Sequence, residues 1–176
     1  MTEADIQRTL AAAQAAQRAG ARDEAARHFR AVLAADPDQP VALNALGVQA
    51  LGRGAPDDAI ALFRRAIAAD AQAPELWMNL ARAHRARADD AAERAALEGA
   101  LAIDQRHFMA LVRIAELFER TGDEAAAMAK WDGVLAMSAA IDAPTPALQA
   151  MLDHAREFVA RAGWSASASL AASRSP

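Results

Sequence analysis

The sequence predicts an all-α protein: a solenoid of four helix–turn–helix repeats with a capping helix at its C-terminal end. Three observations predict it. The composition is 54% hydrophobic but only 5% aromatic, rich in alanine and modest in Gly (8) and Pro (7), which favours helix over tightly turned sheet. The stretch DEAARHFRAVLAADP, from Asp23 to Pro37, returns 34 residues later as DDAIALFRRAIAADA, from Asp57 to Ala71. Within each copy the apolar residues fall at helical intervals.

The 34-residue step holds along the chain without insertion. In the second half of each unit Phe29, Phe63, Leu97 and Trp131 align, as do Leu33, Ile67, Leu101 and Leu135. Ala25, Ala59 and Ala127 align, with Glu93 as the exception, and Asp36, Asp70 and Asp104 align with Ser138. In the first half Thr9, Leu43, Trp77 and Leu111 match, then Ala12, Leu46, Leu80 and Ile114, then Ala13, Gly47, Ala81 and Ala115. A fixed period of this length is the mark of a repeat architecture. The units run 6–39, 40–73, 74–107 and 108–141, so the array is expected over 6–141.

Each unit's first helix carries one apolar stripe, for example Leu43, Leu46, Gly47 and Ala50. Pro40 and Pro74 stand at the starts of two first helices, and Pro56 at the start of a second helix, where a missing N–H costs nothing. Gly20, Gly54 and Gly122, aligned with Ala88, mark the turn between the helices. Asp89 and Asp123 precede second helices as capping residues. In each second helix small residues such as Ala59 and Ala66 flank a large one, Phe63, so that with Gly47 opposite the two axes approach closely. Repeat one, with Thr9, Ala12 and Ala13, is expected to pack its first helix weakly. Trp77 and Trp131 occupy repeat core positions. After the fourth unit, Thr145 and Pro146 start a helix expected over 145–162, with Leu148, Met151, Leu152, Ala155, Phe158 and Val159 as its apolar set. It caps the array, whose last repeat has no neighbour. The low-complexity run 163–176, which includes Trp164, is expected to be a disordered tail or linker.

This pattern resembles the tetratricopeptide repeat, 34 residues of helix–turn–helix, most closely in 40–73. The resemblance implies a right-handed superhelix whose first helices line a concave groove that holds a protein or peptide. The stretch ARADDAAERAALEGALAIDQRHFMALVRIAELFERTGD is also similar, more loosely, to the repeat region that precedes the catalytic domain in bacterial aspartyl/asparaginyl β-hydroxylase-type proteins. That alternative implies a substrate-presenting domain of an Fe(II)- and 2-oxoglutarate-dependent oxygenase, with the catalytic domain absent from this chain. Chaperone-binding members of the repeat family use a carboxylate clamp of Lys, Asn, Asn, Lys and Arg. The matching positions hold Leu10, Gln14, Ala45, Glu75 and Asn79, so that clamp is not expected.

Other function classes have little support. The net charge of -4 argues against a general nucleic-acid binder. There is no cysteine, so no disulfide or thiolate metal site. The histidines, His28, His84, His107 and His154, are widely spaced and form no metalloenzyme motif. His84 is expected to pack between helices and His107 to sit in a turn between repeats. No catalytic residue, metal site or cofactor is therefore expected. No run of about 18 apolar residues occurs to span a membrane, and MTEADIQRTL does not look like a secretory leader. A cytoplasmic, monomeric binding protein is the expectation.

The groove expected from the family register comprises Gln14 in repeat one; Asn44, Val48 and Leu51 in repeat two; and Met78, Asn79, Arg82 and Arg85 in repeat three. Repeat four adds Met109, Val112, Arg113, Glu116 and Arg120. Gln7, Leu10, Gln17 and Arg18 extend it at the N-terminal end. The arginines point to an acidic partner, because a guanidinium holds a carboxylate at two points. The competing reading is a solvated face paired with Glu116 and Glu119. Asn44 and Asn79 each offer a donor and an acceptor, suited either to a peptide backbone or to a bond between helices. The apolar members either receive a partner's side chains or belong to the core.

The register makes one direct prediction. Phe63→Ala should destabilise the protein by about 3–5 kcal/mol, read from its denaturant midpoint; an unchanged midpoint would contradict the alignment.

Overall fold

The computed structural model describes the backbone of residues 1–172 and the side chains of residues 1–163. Among the described residues the chain forms helices and no strand. They are α1 (Glu3–Arg18), α2 (Arg22–Ala35), α3 (Pro40–Gly52), α4 (Pro56–Ala69), α5 (Pro74–Ala86), α6 (Asp90–Ile103), α7 (Phe108–Thr121), α8 (Glu124–Ser138) and α9 (Pro146–Ala172). Two compact units result, Met1–Ile103 with α1 to α6, and a second from Asp104 onward with α7 to α9.

The turns inside the four helix pairs are copies of one motif. Ala21 N–H donates to Ala16 O, Ala55 to Ala50, Asp89 to His84 and Asp123 to Phe118, at 2.9, 3.0, 3.1 and 2.9 Å. The preceding residue in each case donates three positions back: Gly20 to Gln17, Gly54 to Leu51, Ala88 to Arg85 and Gly122 to Glu119. This is the Schellman closure of a helix, which needs a left-handed residue after the last turn. Gly20, Gly54 and Gly122 supply it at φ 78°, 75° and 81°. Ala88 adopts φ 55° at the same place and carries the steric cost of a Cβ there.

Starts are equally regular. Pro40, Pro56 and Pro74 open α3, α4 and α5. Asp89 Oδ1 accepts from Ala92 N–H and Asp123 Oδ1 from Ala126 N–H, both at 3.1 Å. His107 caps α7 through Nδ1, which accepts from Ala110 N–H at 3.1 Å, placing this histidine at the junction between helix pairs. Asp70 and Asp104 each turn the chain between pairs by accepting from the N–H two residues on.

In the first unit Phe29, Phe63 and Leu97 are fully buried on α2, α4 and α6. Val32, Ala66 and Ala100 lie buried one turn further on. Gly47 of α3 lies under Phe63 so closely that a Cβ there would fall 2.5 Å from the ring. Glu93, at the repeat's small-residue position, is buried with 2% of its surface exposed.

Repeat one departs from its expected stripe. Ala12 is exposed and Thr9 only half-buried, while Ile6, Leu10, Ala13 and Ala16 pack into one core with Phe29 and Leu46. With no large residue at 9 or 12, the helix turns its two large apolar side chains inward instead. Leu10 is thus a core residue and not part of a groove.

In the second unit α9 packs on α8 and buries Leu152, Ala155, Phe158 and Ala162. Its first turn is capped by Thr145 Oγ1, which accepts from Leu148 N–H at 3.3 Å. Three helices meet at Glu119: its carboxylate accepts from Trp131 Nε1–H of α8 and lies 3.1 Å from His154 Nε2 of α9. The His154 ring stands edge-on to Trp131 at 5.7 Å between centroids. The helix does not end at Ala162 as the sequence predicts but continues to Ala172. Alanine and serine keep the helix going, and one glycine costs only about 1 kcal/mol. Of the tail or linker expected over 163–176, residues 173–176 and the side chain of Trp164 lie outside the described residues.

Ala88→Gly should relieve the left-handed strain and stabilise the first unit by about 0.5–1 kcal/mol. A higher urea midpoint checks it.

Candidate functional site

In the first unit α3 and α5 lie side by side, and their shared face carries seven of the expected groove residues. Asn44, Val48 and Leu51 stand at i, i+4 and i+7 on α3, and Met78, Arg82 and Arg85 at the same intervals on α5, with Asn79 beside them. Arg82 and Arg85 are exposed; Asn44, Val48, Leu51, Met78 and Asn79 are half-buried. Gln14 is exposed on α1.

A row of polar groups crosses this face. Asn79 Nδ2 donates to Asn44 Oδ1 at 2.9 Å, and Arg82 Nη1 donates to Asn79 Oδ1 at 3.1 Å. The bond between helices therefore forms, and it uses one of the two hydrogen-bonding ends of Asn44. The other end, a half-buried amide with two N–H donors, makes no hydrogen bond among the described residues.

The repeat-four candidates lie in the second unit. Met109 is 41% exposed and Arg120 is exposed. Arg113 is half-buried and donates from Nη1 to Glu116 Oε2 at 2.8 Å, a pairing along one helix. Val112 is 1% exposed and so cannot line an accessible groove. Helix α7 is apolar over more than one stripe, and Val112 is buried along with Leu111, Ile114, Ala115 and Leu117. Glu119, which the competing reading pairs with the arginines, instead accepts from Trp131 and lies beside His154.

Sequence reasoning understated His84, a buried side chain on α5 whose Nδ1 has no hydrogen bond. The nearest acid, Asp89, holds Oδ2 3.8 Å away, beyond hydrogen-bond reach. Burial pushes the His84 pKa below its ordinary 6.5; Asp89 opposes this, while Arg64 and Arg87 add to it. Trp77 is half-buried rather than core: its indole N–H donates to Ala71 O at 3.2 Å and its ring rests on Gly99. Among the described residues no group of three or more acidic or histidine side chains is arranged to hold a metal ion. Nor is any described helix long and apolar enough to cross a membrane.

A family model for the tetratricopeptide repeat matches residues 10–74 and again 50–107, together more than half of the chain. The chain belongs to the tetratricopeptide repeat family. Among solved structures, a MamA protein is 20% identical, with 89% of each chain covered and a TM-score of 0.71. An O-GlcNAc transferase mutant from Thermobaculum terrenum is 25% identical over 78% of this chain, with a TM-score of 0.68, but only 27% of the transferase chain is covered. PcrH, solved in complex with the chaperone binding region of PopD, is 20% identical, with 69% of this chain and 88% of PcrH covered and a TM-score of 0.58. No curated protein sequence matches the chain, so the resemblance to β-hydroxylase-type proteins gains no relative there.

The depressed His84 pKa has a direction in pH. The folded state takes up a proton on this ring at a lower pH than the unfolded chain does, so the ring's contribution to stability is full above its ordinary pKa and is lost as pH falls through it. His84→Ala, which copies Ala50 of repeat two, should lose less stability than wild type between about pH 7.5 and 5.5. Urea midpoints of the two proteins at both pH values measure this.

Proposed function

We propose that the protein is an interaction module without catalysis of its own, and that the α3–α5 face of its first unit holds an extended segment of a partner protein. The observation that carries this reading is the Asn44–Asn79–Arg82 row flanked by Val48, Leu51 and Met78. A peptide needs hydrogen-bonding groups for its backbone and apolar contacts for alternate side chains, and this face offers both. The free amide end of Asn44 donates to a peptide carbonyl. Arg82 and Arg85 favour an acidic segment. Membership of the repeat family supports the reading, as does PcrH, a protein of like fold that was solved with a segment of PopD bound. Arg113, Glu116, Arg120 and Met109 on α7 form a further contact surface in the second unit, with Val112 left out of it.

The test compares captured proteins from cells of the native source by mass spectrometry, using wild type, Asn44→Ala/Arg82→Glu on the groove, and Arg30→Glu on α2 as control. A partner retained by wild type and Arg30→Glu but lost from the groove variant supports the site. An identical set on all three proteins, each folded by circular dichroism, sinks it.

A further inference from the structure

The first unit has a concavity away from the α3–α5 face. A cleft of about 310 Å3 lies between α4 and α6, with α5 as its floor. Arg64 and Ile67 come from α4, Trp77, Leu80 and His84 from α5, and Ala96 from α6.

The repeat register explains why the cleft exists. The residue one repeat before Ala96 is Leu62, which packs its side chain against two apolar clusters that together run from repeat one to the start of repeat three. Ala96 ends at its Cβ, so the volume that Leu62 fills in repeat two stays open in repeat three. Nor does the wall collapse inward. Trp77 is tied to Ala71 O through its indole N–H, and Gly99 sits so close beneath it that a Cβ there would lie 2.4 Å from the ring. The cleft is thus preformed, which lowers the ordering cost of filling it.

Its lining is selective. Ile67, Leu80, Ala96 and the Trp77 ring make an apolar interior. Arg64 is exposed at the rim and has no acidic partner among the described residues. His84 forms the inner wall, where its buried Nδ1 lacks a hydrogen bond. An apolar cavity of roughly 150 Å3 accepts benzene. At about 310 Å3 this cleft has room for a ring and a short acidic arm.

We propose that the cleft binds a small carboxylic acid with an aromatic or branched apolar body, the body lying against Trp77, Ile67 and Ala96 and the carboxylate meeting Arg64. The guanidinium fork supplies the two-point recognition that separates an acid from its neutral analogue. This site shares no residue with the proposed peptide groove, so either stands if the other fails.

Phenylacetate is the probe and phenylacetamide its uncharged control, titrated into the 15N-labelled full chain while the Trp77 indole resonance is followed. Saturable shifts are expected with a dissociation constant of roughly 1–10 mM, and about fivefold weaker binding of the amide. Ala96→Leu, which restores the residue of repeat two, should abolish binding while keeping or raising the thermal midpoint. Arg64→Gln should bring the acid down to the affinity of the amide. No saturable shift, equal affinity for acid and amide, or unchanged binding by folded Ala96→Leu would each overturn the proposal. Should Ala96→Leu not fold, the acid–amide comparison in wild type and Arg64→Gln decides alone.

Discussion

The structure depends on how closely two antiparallel helices approach each other. Phe63 lies flat against the backbone of Gly47, and no side chain larger than hydrogen fits beneath it. That contact sets the spacing of the helix pair, and the spacing sets which residues face inward. Trp77 over Gly99 repeats the arrangement between α5 and α6, with the large and small partners exchanged between helices. Close packing of this kind tolerates little change of volume, so a protein that repeats it must repeat its small residues too.

The same economy explains where function resides. A pair whose inner faces are consumed by packing has only its outer faces to offer. On α3 and α5 those faces carry half-buried amides and apolar side chains rather than the charged coat of α2. Where a core position shrinks, as at Ala96, the packing leaves a cleft instead of a contact. Where one gains a polar group, as at His84 and Glu93, the interior holds chemistry that a regular repeat would not. Both of these polar exceptions fall in repeat three, and so does the strained Ala88.

Much of this was legible in the sequence. The 34-residue alignment of Phe29, Phe63, Leu97 and Trp131 picked out four buried positions, and the glycines with Ala88 located four identical turns. Asn44 and Asn79 could be placed on one face, but whether they bonded to each other depended on the distance between α3 and α5. Leu10 and Val112 were misplaced for a related reason. Family register assigns a position to a face, whereas burial depends on how the particular helix rotates to cover its largest side chains.

The sequence by itself determined the helices, their turns and the pairing of the two helices within each repeat, because all three follow from local periodicity and from residues at fixed offsets. The tertiary structure alone decided which faces remained open. It divided the helices after Ile103 into two units, gave Glu119 to Trp131 and His154, and left space beside Ala96. Those outcomes depend on side chains brought together from distant parts of the chain, and a one-dimensional pattern does not encode the volumes that meet there.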